Sequence, residues 1–119
     1  MKIYVTGLGV VSGIGIGVSE NIEALRQRKH GIGKITLFPT ALDVPVSEVK
    51  RSNEELKKLI SLPPQRTVSR TALLGMIAAE EAMKDAGLTP PLRIGFISAT
   101  SVGGMDLSEH FYDRDDYGK

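Results

Sequence analysis

The sequence predicts an α/β fold in which one helix is buried between layers. Short apolar, β-branched runs alternate with helical patterns along the 119 residues, as in a sheet covered by helices. One helical pattern, at about 66–86, contains the stretch TALLGMIAA at 71–79, which has no charged residue. A surface helix keeps a polar stripe on one side. This helix is therefore expected to be covered on nearly every side.

The composition excludes several classes of function. With 15 basic and 14 acidic side chains, the net charge of +1 gives no reason to expect a nucleic acid or an acidic membrane as partner. Cysteine is absent, which excludes disulfides, thiolate metal sites and a cysteine nucleophile within these residues. No apolar run approaches the ~20 residues of a membrane helix. We expect a cytoplasmic protein.

The first half of the chain predicts three strands and one helix. Residues 3–10 are an apolar run without polar alternation, which indicates a strand buried on both faces. A helix is predicted from Ser19 to Lys29, with acidic residues near its start, basic residues near its end and Gly31 after it. Residues 33–37 and 44–50 are short strand candidates.

The second half predicts three helices and one strand. Ser52 and Glu55 form a capping box that opens a helix, and the two prolines at 63–64 end it. The apolar helix at 66–86 follows, with Gly87 as its stop. Residues 93–100 (RIGFISAT) predict a further strand, 101–104 (SVGG) a turn, and 105–112 a helix.

These elements leave a discrepancy. A helix covered all round needs layers on both sides, but the predicted strands are too few for two full sheets. Either the chain oligomerises through that helix, or it is the N-terminal part of something larger. We favour the second interpretation.

The glycine-rich opening, KIYVTGLGVVSGIGIG, is typical in part of a dinucleotide site. That fingerprint requires G-x-G-x-x-G between a strand and its helix, with an acidic residue closing the next strand. Here Ser12 replaces the third glycine, and the next strand ends at LFP without an acid. We therefore expect a strand whose glycines let other backbones pass closely. A nucleotide-binding module remains an alternative, which cofactor titration would test.

Read together, four segments carry a family resemblance. VTGLGVVSGIG, HGIGKIT, the alanine-rich helix ending EAMKDAGL, and RIGFISATSVGGM occur in order across nearly the whole chain. In this the chain resembles the β-ketoacyl-(acyl-carrier-protein) synthases, the condensing enzymes of type II fatty-acid synthesis, which belong to the thiolase-like superfamily. The resemblance implies a thiolase-like α-β-α-β-α layered fold. Residues 1–119 would be an incomplete N-terminal portion of the family's N-terminal domain.

The resemblance also implies the chemistry. In this family a cysteine takes an acyl group from acyl carrier protein, and a carbanion made by decarboxylating malonyl-carrier protein attacks that thioester. Two histidines and a lysine support the reaction, no metal or organic cofactor is used, and the protein is a homodimer. The catalytic cysteine and histidines lie beyond these residues in relatives. No catalytic residue is therefore expected in this chain, which is predicted to be inactive alone.

Two sets of site residues follow from the resemblance. In relatives the turn that matches SVGG lies beside the acyl-binding tunnel, so Ser101 and Val102 are candidate substrate-binding residues. Many relatives have glycine where this chain has Ser101, which implies a bulkier tunnel wall. The acidic carrier protein docks near the start of the alanine-rich helix. The candidate docking residues are Arg66, Arg70, Lys57 and Lys58, with ordinary solvated cations as the alternative.

The two histidines do not match the catalytic positions. His30 is expected to be solvated at the basic end of a helix. His110 stands near Asp113, Asp115 and Asp116, but no spacing puts three ligands on one face, so no metal site is predicted. Besides the condensing enzyme, one alternative of the same fold remains, a non-catalytic partner subunit that determines chain length.

Overall fold

The computed structural model describes residues 1–89 and 93–112 of the chain. These residues form four helices and two antiparallel sheets of two strands each. The strands are β1 (Val11–Ser12), β2 (Gly15–Ile16), β3 (Ile32–Gly33) and β4 (Val46–Ser47). The helices are α1 (Val18–Arg26), α2 (Asn53–Leu59), α3 (Arg70–Asp85) and α4 (Met105–Tyr112).

The helices form where local signals predict them. The capping box is confirmed, because the Ser52 hydroxyl accepts from the Glu55 amide and the Glu55 carboxylate accepts from the Ser52 amide. Helix α3 begins at Arg70, later than predicted, because Ser69 is its N-cap and accepts from the Ala72 amide. Helix α4 matches its prediction. None of the helices among the described residues has the length and apolar character needed to span a bilayer.

The glycine-rich segment folds as a hairpin against α3. Val11 pairs with Ile16, and Ser12 pairs with Gly15, in an antiparallel ladder. Just before the hairpin the chain passes so close to α3 that a Cβ on Gly9 would collide with the carbonyl oxygen of Ala78. The predicted close passage of backbones at these glycines is therefore observed, with a helix as the neighbour.

The strands predicted at 3–10 and 93–100 are not observed, so this prediction is wrong. Neither range is part of a strand. A β-run is stabilised as a strand only by backbone pairing with a neighbour, and no such neighbour lies within the described residues. In the first range, the amides of Leu8 and Val10 donate instead to the carboxylates of Asp85 and Glu81. The candidates at 33–37 and 44–50 contribute only the short β3–β4 pair.

The core lies on one face of α3. Leu56 and Leu73 are fully buried and Ile77 nearly so, with Val11, Val49 and other partly buried side chains packed around them. The opposite face of α3 is open, since Ala72, Gly75 and Met76 are exposed. The described residues therefore cover one face of α3 only, and the expectation that α3 is covered on nearly every side in a larger protein stays a prediction.

The layered architecture is not seen among residues 1–89 and 93–112, which form helices and two short antiparallel sheets without a parallel sheet. The elements instead pack around α3, which contacts α2 and β1, while α1 contacts the β1–β2 hairpin. The turn at 101–104 and the start of α4 come back to the N-terminal end of α3. The turn that contains Ser101 and Val102 therefore lies near Arg70.

Candidate functional site

The predicted turn forms between the irregular segment 93–100 and α4. Gly103 adopts a φ of 60°, a left-handed conformation that suits glycine, and its amide donates to the Thr100 hydroxyl at 3.0 Å. The Gly104 carbonyl accepts from the Leu107 amide at 3.0 Å and so begins α4. Ser101 and Val102 form the outer corner of this turn and are both exposed.

An apolar cleft of about 690 Å³ lies between this turn, segment 96–100 and the open face of α3. Thr100, Gly103 and Gly104 line it from the turn, and Gly75 and Met76 line it from the helix. Its volume is within the range of small-molecule pockets, about 300–1,000 Å³. Ser101 and Val102 do not line the cleft. Their predicted contact with substrate stays a prediction.

Of the four candidate docking residues, two already have partners within the chain. The Arg70 guanidinium donates three hydrogen bonds, to the carbonyls of Val49 and Arg51 and to the side chain of Asn53, at 2.6–2.9 Å. The Lys57 ammonium donates to the carbonyl of Pro64 at 2.8 Å. Arg70 therefore ties the start of α3 to the start of α2.

The other two candidates are open to solvent. Arg66 lies in the loop between α2 and α3, and Lys58 lies on α2; both are exposed. Arg70 begins α3 beside the start of α2, whereas Lys57 and Lys58 lie in the last turn of α2. The docking role of all four candidates stays a prediction.

The geometry at α1 disfavours a phosphate site there. Helix N-termini attract anions through their free amides. Here the amide of Val18, the first residue of α1, donates to Oε1 of Glu81 at 2.7 Å, and the Val10 amide donates to Oε2 at 3.0 Å. A carboxylate of the chain itself thus occupies the position where a nucleotide phosphate would bind, and it would repel one.

The structure describes the surroundings of only one of the two histidines. His30 is exposed, as expected. The side chain of His110 and the residues Asp113, Asp115 and Asp116 lie outside the described part of the chain. Within that part, no three acidic or histidine side chains come together to bind a metal ion.

Asp106 was not found from the sequence. It lies in the first turn of α4, two residues after the turn, and its Oδ2 accepts from the Arg70 amide at 2.7 Å. Its Oδ1 is buried and has no hydrogen-bond partner. An acidic residue in a helix's first turn is a recognisable signal, but it predicts a role for α4 and not for α3.

Comparison with known proteins places the chain in a family. Residues 1–118 match the model of the β-ketoacyl synthase N-terminal domain. The chain belongs to that family. Membership implies a thiolase-like fold and confirms the resemblance carried by VTGLGVVSGIG and SVGG.

Three relatives illustrate the range of the β-ketoacyl synthase match. A protein named 3-oxoacyl-(acyl-carrier-protein) synthase 2 from Coxiella burnetii is 32% identical, covering 94% of this chain and 28% of its own length. Nodulation protein E of Rhizobium meliloti is 29% identical, covering 93% and 28%. A second 3-oxoacyl-(acyl-carrier-protein) synthase 2, from Staphylococcus aureus, is 29% identical, covering 92% and 27%.

The chain thus spans less than a third of the length of these relatives. No solved structure gives a significant match. The activity of a whole β-ketoacyl synthase is accordingly a proposal for this chain.

Proposed function

We propose that this chain is the N-terminal portion of a 3-oxoacyl-(acyl-carrier-protein) synthase, acting in fatty-acid or polyketide chain elongation. The observation that carries the proposal is the family match over residues 1–118. Relatives that bear the name of this activity support it. The reaction joins an acyl thioester and malonyl-carrier protein into a 3-oxoacyl thioester, and releases carbon dioxide and the free thiol of the carrier that delivered the acyl group.

In this proposal the described residues contribute binding surfaces and no catalytic group. The chain contains no cysteine, so the acylated nucleophile belongs to residues outside it. Ser101 and Val102 contribute to the wall of the acyl site. The layered α-β-α-β-α arrangement would then supply the second cover for α3, whose open face supports this part of the proposal. Acyl carrier protein is the macromolecular partner, and the whole enzyme is a cytoplasmic homodimer.

The basic residues divide into two roles within this proposal. Arg66 and Lys58 are exposed, so their charges are available to an acidic carrier protein. Arg70 and Lys57 already donate hydrogen bonds within the chain. In this proposal they hold the local backbone in place, and their charges extend less far from the protein surface than those of Arg66 and Lys58. Docking by surface charge acts mainly on the rate of association and weakens with salt.

The test is a condensation assay on the full-length protein with acyl- and malonyl-carrier protein. We expect a 3-oxoacyl product and carbon dioxide in equal amounts. Turnover only after addition of a separate ketosynthase would indicate the non-catalytic partner subunit instead. Absence of product under both conditions would contradict the proposal, and saturable nucleotide binding would favour the nucleotide module.

The docking role is tested by charge reversal. Arg66→Glu should raise KM for the carrier protein several-fold at low salt and leave kcat nearly unchanged, because the contact is lost in ground and transition state alike. Arg26→Glu, on the distant helix α1 and also exposed, is the matched control. Equal effects of the two variants would show that only net charge matters.

A further inference from the structure

Asp106 hydrogen-bonds the second described range of the chain to the first. Segment 93–112 contains the turn, α4 and one wall of the apolar cleft. Among residues 1–89 and 93–109, the bond from the Arg70 amide to Asp106 Oδ2 is the only hydrogen bond that joins this segment to the rest. The turn also lies close to the N-cap of α3, since a Cβ built on Gly104 would lie 3.3 Å from the Cβ of Ser69.

The bond also completes the N-terminus of α3. The first turn of α3 contains no acidic residue, and Ser69 accepts only the Ala72 amide there. The Arg70 amide is one of the donors that a helix leaves without an internal partner. A carboxylate at this end is stabilised by the helix dipole, so Asp106 supplies from α4 the negative charge that α3 lacks.

The buried Oδ1 of Asp106, which has no hydrogen-bond partner, is energetically unfavourable. A buried carboxylate oxygen without a partner is destabilising by comparison with a hydrated one. A neutral or apolar residue at 106 would avoid that cost. Asp106 connects two helix N-termini. It lies in the first turn of α4, and its side chain accepts a hydrogen bond from the first residue of α3.

We propose that Asp106 is a positioning residue that holds the Ser101–Gly104 turn against the start of α3 and thereby determines which acyl chain lengths the synthase accepts. The proposal rests on the proposed function, because it needs the turn to form a wall of the acyl site. Asp106 itself does not contact the substrate. Its effect acts through the distance between the turn and α3.

The experiment uses the full-length protein with two substitutions at this position. Asp106→Ala removes the acceptor, whereas Asp106→Asn keeps an acceptor for the Arg70 amide and loses the charge. The matched control is Glu109→Gln, which changes an exposed acid on the same helix. Two quantities are measured: hydrogen exchange of peptides covering 68–76 and 100–109, and kcat/KM for short-chain against long-chain acyl donors.

We expect Asp106→Ala to speed exchange in both peptides about tenfold or more, as for loss of one hydrogen bond to a charged group. The ratio of kcat/KM for the two donors should change about fivefold or more, a size that pocket contacts routinely produce. Asp106→Asn should lie between Asp106→Ala and wild type in both measurements. Glu109→Gln should match wild type.

Each failure has a distinct meaning. Unchanged exchange in Asp106→Ala would show that Asp106 does not hold the turn. Faster exchange with an unchanged donor ratio in an active enzyme would show that the turn does not select chain length, which overturns the proposal. A wild-type protein that condenses no donor would contradict the proposed function, and the selectivity role would fall with it, while the exchange data would still decide whether Asp106 holds the turn.

Discussion

The two faces of α3 both lack charged residues between 71 and 79 but have opposite environments. On one face, Leu73 is fully buried and Ile77 is 7% exposed, against Leu56 of α2. On the other, Met76 is 42% exposed beside Ala72 and Gly75.

This contrast shows that burial of a helix face depends on what the rest of the chain can place over it. Apolar character makes both faces favourable to bury, at about 25 cal/mol for each Å² removed from water. The large side chains of the first face meet α2 and the β1–β2 hairpin. The small residues of the second face line an open cleft, whose far wall is the irregular segment at 96–100.

The largest effect should come from truncating a side chain on the covered face. Leu73→Ala removes a fully buried side chain and leaves a cavity, so the free energy of unfolding should fall by about 2–5 kcal/mol. Met76→Ala, on the open face, should cost under about 1 kcal/mol in the same chain. Urea denaturation followed by circular dichroism measures both. Equal losses would mean that the second face is as well covered as the first.

Glu81 joins the covered side of α3 to the glycine-rich segment. Its carboxylate accepts from the amides of Val10 and Val18 at 3.0 and 2.7 Å. Glu81→Ala should lower the free energy of unfolding by about 2–3 kcal/mol, because two amides lose a charged acceptor. Glu80→Ala is the control, since its bond to Lys84 is an exposed pair worth about 0.5 kcal/mol or less. Urea denaturation measures both variants. Similar losses of unfolding free energy would show that Glu81 contributes no more than an exposed surface charge.

Gly75 tests directly whether the open face is covered in the whole protein. A Cβ built at Gly75 has no atom within 4 Å, so Gly75→Ala should stabilise this chain by about 1 kcal/mol through helix propensity. In a layered full-length enzyme the same methyl group would be overpacked, and we expect a loss of about 1–3 kcal/mol. Thermal unfolding, measured for the chain and for the full-length protein, shows whether Gly75→Ala raises or lowers the stability of each. Stabilisation in both would argue against a second layer over this face.

The helices were predictable from the sequence because their signals are local. Ser52 and Glu55 lie within one turn of each other, and Gly87 directly follows the helical pattern, so each end could be recognised without knowledge of the fold. The paired strands were not predictable, because pairing depends on a neighbour that sequence pattern does not name. The segments at 3–10 and 93–100 have strand composition without strand pairing in this structure.

The same distinction applies to the candidate site. Position 101–104 was recognisable as a turn from its two glycines, whereas the basic docking candidates were named from the family resemblance. Asp106 was not recognisable, because its partner, Arg70, is 36 residues away in sequence. The three acceptors of the Arg70 guanidinium are likewise distant residues, so an arginine that looked free for docking is in fact held within the fold.

The smallest effect concerns the segment that covers the first face. Val49 packs against that core, and next to it the Glu48 carboxylate accepts from the hydroxyl of Thr36 and from the amides of Thr36 and Leu37. These donors, the Thr36 hydroxyl first, lower the pKa of Glu48 below its ordinary value. Because the folded pKa is the lower one, the contribution to stability is present above the ordinary glutamate pKa, about 4.3, and is lost as pH falls through the folded value. Carboxyl NMR titration should therefore show Glu48 moving back toward its ordinary pKa in Thr36→Val, which keeps the shape of the side chain and removes the hydroxyl. If Glu48 titrates at the same pH in both proteins, the loop at 36–37 does not hold this carboxylate, and acid would not loosen the cover of the first face by this route.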